Sequence, residues 1–148
     1  MFIRLLKLRF VPSSTDLALL VLRVCAGVSL FLRHGWEKAT GFDGVVARVP
    51  DILHIGVVPM IFLAAIGDVL CSLLVAVGLA TRWAAAYSFA VIFVAWSMRE
   101  HFNYFEHGRQ QGEMMVLYLI AMLTIFLAGP GRFSLDALFK EKDPAASK

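Results

Sequence analysis

Residues 31–42, FLRHGWEKATGF, bring Arg33, His34, Glu37 and Lys38 together directly after the apolar run LALLVLRVCAGVSLFL. Residues 100–113, EHFNYFEHGRQQGE, add Glu100, His101, His107 and Glu113 just before another apolar run. Arg23 and Asp68 lie inside apolar runs, where an ionised group costs at least about 2.5 kcal/mol near a bilayer centre. Histidine is the side chain whose ordinary pKa lies nearest neutrality. Beside Glu113 or Asp68, His34 and His101 could pass protons to and from a quinone headgroup, whose reduction consumes protons together with electrons. The expected catalytic residues are therefore His34 and His101, which exchange protons and hold the headgroup, and Glu113, which orients one His. Arg23, Asp68 and Lys38 form a polar core.

The alternatives are blander. His34, Glu37, Lys38, Glu100, His101, His107 and Glu113 could form an ordinary wet interfacial belt, anchored by Trp36, Phe102 and Tyr104. Arg23 and Asp68 could be a structural ion pair that sets helix register. A metal or a haem would also suit histidine and glutamate, but no spacing signature supports either. Cys25 and Cys71 belong to no CxxC, so neither a disulfide framework nor a zinc motif is expected.

These side chains need a scaffold. The chain has 148 residues, 59% of them hydrophobic and 17% charged, with a mean hydropathy of +0.75. Soluble domains carry about a quarter charged residues, so the composition points to one integral membrane domain spanning 1–148. The net charge of +3 comes with no basic face or aromatic platform, and nucleic acid is not an expected partner. No A-x-A-type site closes the first apolar run, which reads as a retained segment.

Four apolar runs, 17–32, 55–79, 83–98 and 114–129, imply an all-α fold, because helices satisfy their own backbone in lipid. The expected architecture is a four-helix transmembrane bundle with helices near 14–34, 55–79, 83–101 and 113–129. The segment FDGVVARVPDILHI between the first two helices is semi-apolar and should lie along the membrane surface. VPSSTD supplies caps before the first helix, GLATRW a tight turn, and Gly129-Pro130-Gly131 a stop, after which Ser134 could cap a short tail helix. Residues 139–148 should fray.

With both termini cytoplasmic, eight Lys and Arg residues lie inside: Arg4, Lys7, Arg9, Arg82, Arg132, Lys140, Lys142 and Lys148. Five lie outside: Arg33, Lys38, Arg48, Arg99 and Arg109. The bias favours that orientation. Steps of three and four predict interior stripes Arg23–Ala26–Gly27–Leu30–His34, Ala64–Asp68–Cys71–Ser72–Val75, Tyr87–Ala90–Val94–Ser97–His101 and Glu113–Leu117–Ile120–Thr124. Ala26, Gly27, Ala64, Ala65 and Gly67 allow close helix packing. On this geometry Arg23 reaches Asp68, and Cys25 points away.

The order of these pieces resembles the DoxX family of small four-helix membrane proteins. The pieces are LLVLRVCAGVSLFLRHGWEKATGF, AAIGDVLCSLLVAVGLATRWAA, EHFNYFEHGRQQGEMMVLYLIAML and LAGPGRFSLDALF. They carry an Arg in helix one, His-Gly and Lys at its end, and an acid in helix two. A Gly-Leu-x-Thr-Arg turn, a His after helix three, a Glu opening helix four and Gly-Pro-Gly-x-x-Ser-Leu-Asp follow. The match covers roughly 17–138. The helix-two acid is usually Glu in that family and is Asp68 here, one methylene shorter. The resemblance marks Arg23, His34, Lys38, Asp68, His101 and Glu113 as characteristic positions. It implies an inner-membrane protein linked to membrane redox or sulfur chemistry, through likeness to a subunit of thiosulfate:quinone oxidoreductase. Expected partners are the lipid bilayer and other membrane or periplasmic redox subunits, or further copies of the chain. A non-catalytic anchor subunit and a small transporter are the other functions compatible with the sequence.

Overall fold

The computed structural model describes residues 14–99 and 111–141, and among these every regular element is helical. Helix α1 (Thr15–Leu30) runs through a π-helical segment, Phe31–Gly35, into α2 (Trp36–Thr40). A short α3 (Phe42–Arg48) follows. Helix α4 (Val57–Ala65) continues through a second π segment, Ile66–Cys71, into α5 (Ser72–Val77). Helix α6 (Thr81–Val94) ends in a third, Ala95–Arg99. Helix α7 (Gln111–Ala128) and a short α8 (Leu135–Glu141) complete the described chain.

The long helices touch in sequence. Helix α1 packs on α5 and α7, and α6 packs on α5 and α7. Their shared core is Ala26, Leu30, Cys71, Val75, Ala84, Ala85, Ile92, Leu119, Met122 and Ile125. Glycine sets the α1–α5 spacing: a Cβ on Gly27 would lie 2.5 Å from the Ser72 carbonyl oxygen. Small residues thus let backbones approach where lipid removes any hydrophobic drive between helices. A second apolar cluster, Val45, Met60 and Ile61, lies under α3.

The expected caps are present. The Ser14 hydroxyl accepts from Leu17 N–H at 3.2 Å, and the Ser134 hydroxyl from Ala137 N–H at 3.2 Å. Gly78, at φ +77°, closes α5 with a Schellman-type bond from Leu79 N–H to the Leu74 carbonyl at 3.0 Å.

The turn after α5 is clamped from a distance. The Asp136 carboxylate accepts from Ala80 N–H at 2.7 Å and Thr81 N–H at 2.9 Å, and from the Thr81 hydroxyl at 2.7 Å. It therefore caps α6 from 55 residues away and holds Ala80 at φ 47°, a conformation costly for a residue with a Cβ. Partial burial pushes the Asp136 carboxyl up. The bonds from Thr81 and Ala80 and the Arg23 charge outweigh this and hold it below the usual carboxylate value. A lowered folded pKa stabilises the fold above the ordinary value of about 3.9 and is lost as pH falls through the lowered one. Asp136→Ala should cost about 0.5–2 kcal/mol at neutral pH, the usual worth of a helix cap. The wild-type advantage should begin to shrink below about pH 4 and disappear once the pH lies below the lowered folded value. Thermal unfolding of both proteins across that range checks it; a constant difference would contradict the assignment.

Two expected stripes need correction. On α7 the buried positions are Leu119, Met122 and Ile125, whereas Glu113, Leu117, Ile120 and Thr124 are exposed. Treating Glu113 as an inward anchor fixed the wrong face: an oily outer surface is what a bilayer demands, so hydrophobicity alone does not mark the inside. On α6 the core face is Ala84, Ala85, Ser88 and Ile92; Tyr87, Ala90 and Val94 instead border a cavity.

Candidate functional site

The first π segment decides how α1 meets α4 and α5. Buried positions run Arg23, Ala26, Gly27, Leu30 and then, five residues on, Gly35. A π turn inserts one residue into the helical repeat, so the inward position moves from His34 to Gly35. There the Gly35 Cα comes so near the second π segment that a Cβ would lie 2.3 Å from the Asp68 carbonyl oxygen. One turn later Lys38 reaches across. Its Nζ donates to Asp68 Oδ2 at 2.6 Å and to the His34 carbonyl at 3.1 Å. The two side chains are only 15% and 10% exposed. In a low-dielectric setting such a pair persists because each charge neutralises the other.

The expected Arg23–Asp68 pairing is not formed. Helical side chains lean toward their own N-terminus. The chain reverses between α1 and α4–α5, so Arg23 and Asp68 lean to opposite ends of the molecule. Arg23, fully buried, donates from Nη2 to the Phe133 carbonyl at 2.6 Å. Asp16 meets the same segment, accepting from Arg132 N–H at 2.9 Å. Asp68 leans the other way, toward Lys38.

Beside the Lys38–Asp68 pair lies a cavity of about 580 Å³, within the range of small-molecule sites. Its lining includes the polar groups of His34, Lys38 and Asp68, with Tyr87 and Tyr118 from α6 and α7. The His34 ring meets Tyr118 edge-on, centroids 6.2 Å apart. The Tyr118 and Ser29 hydroxyls are 2.5 Å apart, and the Tyr87 hydroxyl donates to the Leu63 carbonyl at 3.1 Å. At the mouth Arg48 pairs with Glu37, and Arg33 lies at the exposed rim. From α3 and the loop after it, Val45, Val49, Ile52 and Leu53 add apolar lining.

Of the residues expected at the site, His34, Lys38 and Asp68 share this cavity. Arg23 is buried but lies outside it, and Glu113 is exposed and outside it. His101, with Glu100 and His107, lies outside the described residues. Cys25 is exposed and Cys71 buried, as the helical steps require. Tyr118 and the α3 wall were not legible as site elements. A tyrosine in an apolar run reads as a core or interface residue, and only the packing of α7 beside α1 brings it to His34.

The family comparison follows this geometry. A model of the DoxX family matches residues 18–101, which includes Lys38, Asp68 and most of the cavity wall. No curated protein and no solved structure matches the chain. Thr15–Thr40 and Val57–Val77 are each long and apolar enough to cross a bilayer. With more than half of its residues matched and two helices suited to lipid, the chain belongs to the DoxX family and is a membrane protein.

Proposed function

We propose that this chain is a single four-helix transmembrane domain of the inner membrane, with both termini cytoplasmic, acting in membrane-linked redox chemistry by binding a quinone-like partner in its cavity. The observation that carries the proposal is the buried Lys38–Asp68 pair beside an apolar-walled cavity of about 580 Å³. The donor set suits such a headgroup: a carbonyl oxygen accepts from an ammonium, and an aromatic ring packs on tyrosine and histidine edges. A bound quinone supplies two-electron, two-proton redox chemistry. Two of the three Lys38 N–H donors are engaged by Asp68 and the His34 carbonyl, which leaves the third for a ligand oxygen. Asp68 holds Lys38 in position. His34 exchanges the proton, and Tyr118 holds its ring. Electrons come from a separate redox subunit, the expected partner of this chain. His101 belongs to the same proposal as a second proton-exchanging group.

Detergent-purified protein should carry quinone detectable by mass spectrometry of its bound lipids. His34→Ala should weaken quinone binding by roughly tenfold, the worth of one hydrogen bond of about 1.4 kcal/mol. His101→Ala should weaken it similarly. Unchanged affinity in both variants would overturn the proposal. A stoichiometric protein partner with no bound quinone would instead mark an anchoring subunit.

A further inference from the structure

The cavity lining includes two chemically distinct sets of residues. One is the charge-balanced polar set around Lys38 and Asp68. The other is a strap of the chain, residues 42–53, which turns Val45, Val49, Ile52 and Leu53 onto the cavity. That strap does not join the main core. Its apolar residues belong to the second cluster with Met60 and Ile61, and Phe42, Val49, Ile52 and Leu53 remain only partly buried. A wall of half-covered aliphatic side chains lining a cavity has apolar area still to bury, and a ligand that covers it gains affinity in proportion to that area.

Charge adds a second constraint. Lys38 is matched by Asp68, and at the mouth Arg48 is matched by Glu37. Arg33 is at the exposed rim, where water screens it. Among the described residues a buried anion would meet Lys38 and Arg48 already matched, and an unpaired buried charge is strongly disfavoured.

We infer that the ligand is a tailed amphiphile with an uncharged, hydrogen-bond-accepting head. The head sits at Lys38, the apolar tail lies under the 42–53 strap, and Val49 and Ile52 determine specificity for that tail. This inference rests on the quinone reading for its head and goes beyond it in assigning the tail and in excluding anionic lipids. It gives the 42–53 strap a function: α3 and the loop after it form a cover that selects ligands by length and polarity. It also explains why this segment is semi-apolar although it is too short to cross a bilayer.

The test measures quenching of intrinsic tryptophan fluorescence in the detergent-purified full chain with three probes. They are a long-chain isoprenoid benzoquinone, the same ring without its tail, and a saturated fatty acid as competitor. The tailed quinone should bind at least about tenfold tighter than the bare ring, since burying two methylene groups already suffices for that. Ile52→Asn should bring the tailed quinone down to the affinity of the bare ring and leave the ring's own affinity unchanged. Val49→Thr, which keeps the shape of the side chain and so avoids disturbing the strap, should act in the same direction. The fatty acid should not compete. Equal affinity for ring and tailed quinone would overturn the tail assignment while leaving the headgroup reading intact. Competition by the fatty acid would overturn the neutral head. Binding of neither quinone would overturn both readings.

Discussion

Lys38→Met should lower stability by about 3–5 kcal/mol, because it leaves the Asp68 carboxylate buried without its partner. Asp68→Leu should do the same from the other side. For a chain of this size that is a fall in melting temperature on the order of 10 °C. The double variant, Lys38→Met with Asp68→Leu, should recover most of the loss. Two apolar side chains of similar volume then replace two charges whose desolvation had offset much of their attraction. The three variants together separate structure from chemistry. A stable double variant that no longer binds ligand means that the pair is kept for the cavity's chemistry rather than for folding. Thermal unfolding in detergent, read beside ligand binding, decides the matter. Wild-type melting in both single variants would show that the 2.6 Å contact contributes nothing, and the site built on it would fall.

Gly35→Ala should destabilise the chain by about 3 kcal/mol, at the upper end for overpacking. Helix propensity alone favours the opposite result: alanine in place of glycine inside a helix gains about 1 kcal/mol. Gly35 has φ −80°, so backbone strain plays no part. The loss comes from space. The new methyl would lie 2.3 Å from the Asp68 carbonyl oxygen and 3.0 Å from the Phe31 ring. A carbonyl on a packed helix cannot rotate aside as a side chain can. The two π segments must therefore separate, carrying Lys38 away from Asp68. Ligand affinity should fall with stability. Gly44→Ala is the matched control, since the nearest atom to its new methyl is the mobile end of Arg48 at 4.0 Å, and it should show the propensity gain. A Gly35→Ala protein as stable as wild type would refute the close approach.

The sequence by itself determined the helical class, several of the helix caps, and the residues that resemble a DoxX protein. Each of these rests on local chemistry. Ser14 and Ser134 cap because a hydroxyl beside the first free N–H groups has one good option. Gly78 ends α5 because glycine takes a left-handed φ at little cost. Arg23, His34, Lys38 and Asp68 stood out because charge in an oily run demands a reason. Of the stripe Ala64–Asp68–Cys71–Ser72–Val75, the last four came out buried and Ala64 partly so.

Only the tertiary structure decided which of those groups meet. Arg23 and Asp68 have opposite charges and similar depth, which is all that a linear pattern records. Their side chains lean toward opposite ends of antiparallel helices, so Arg23 holds the Phe133 segment and Asp68 takes Lys38. The π segments shift the inward face by one residue, and nothing in their composition announces them. Glu113 was placed inside by its charge and is exposed, whereas Tyr118 reached His34 only because α7 packs against α1. Identity and local conformation are properties of neighbouring residues and can be read along the chain. Partnership depends on direction and distance in space, and these exist only once the helices have packed.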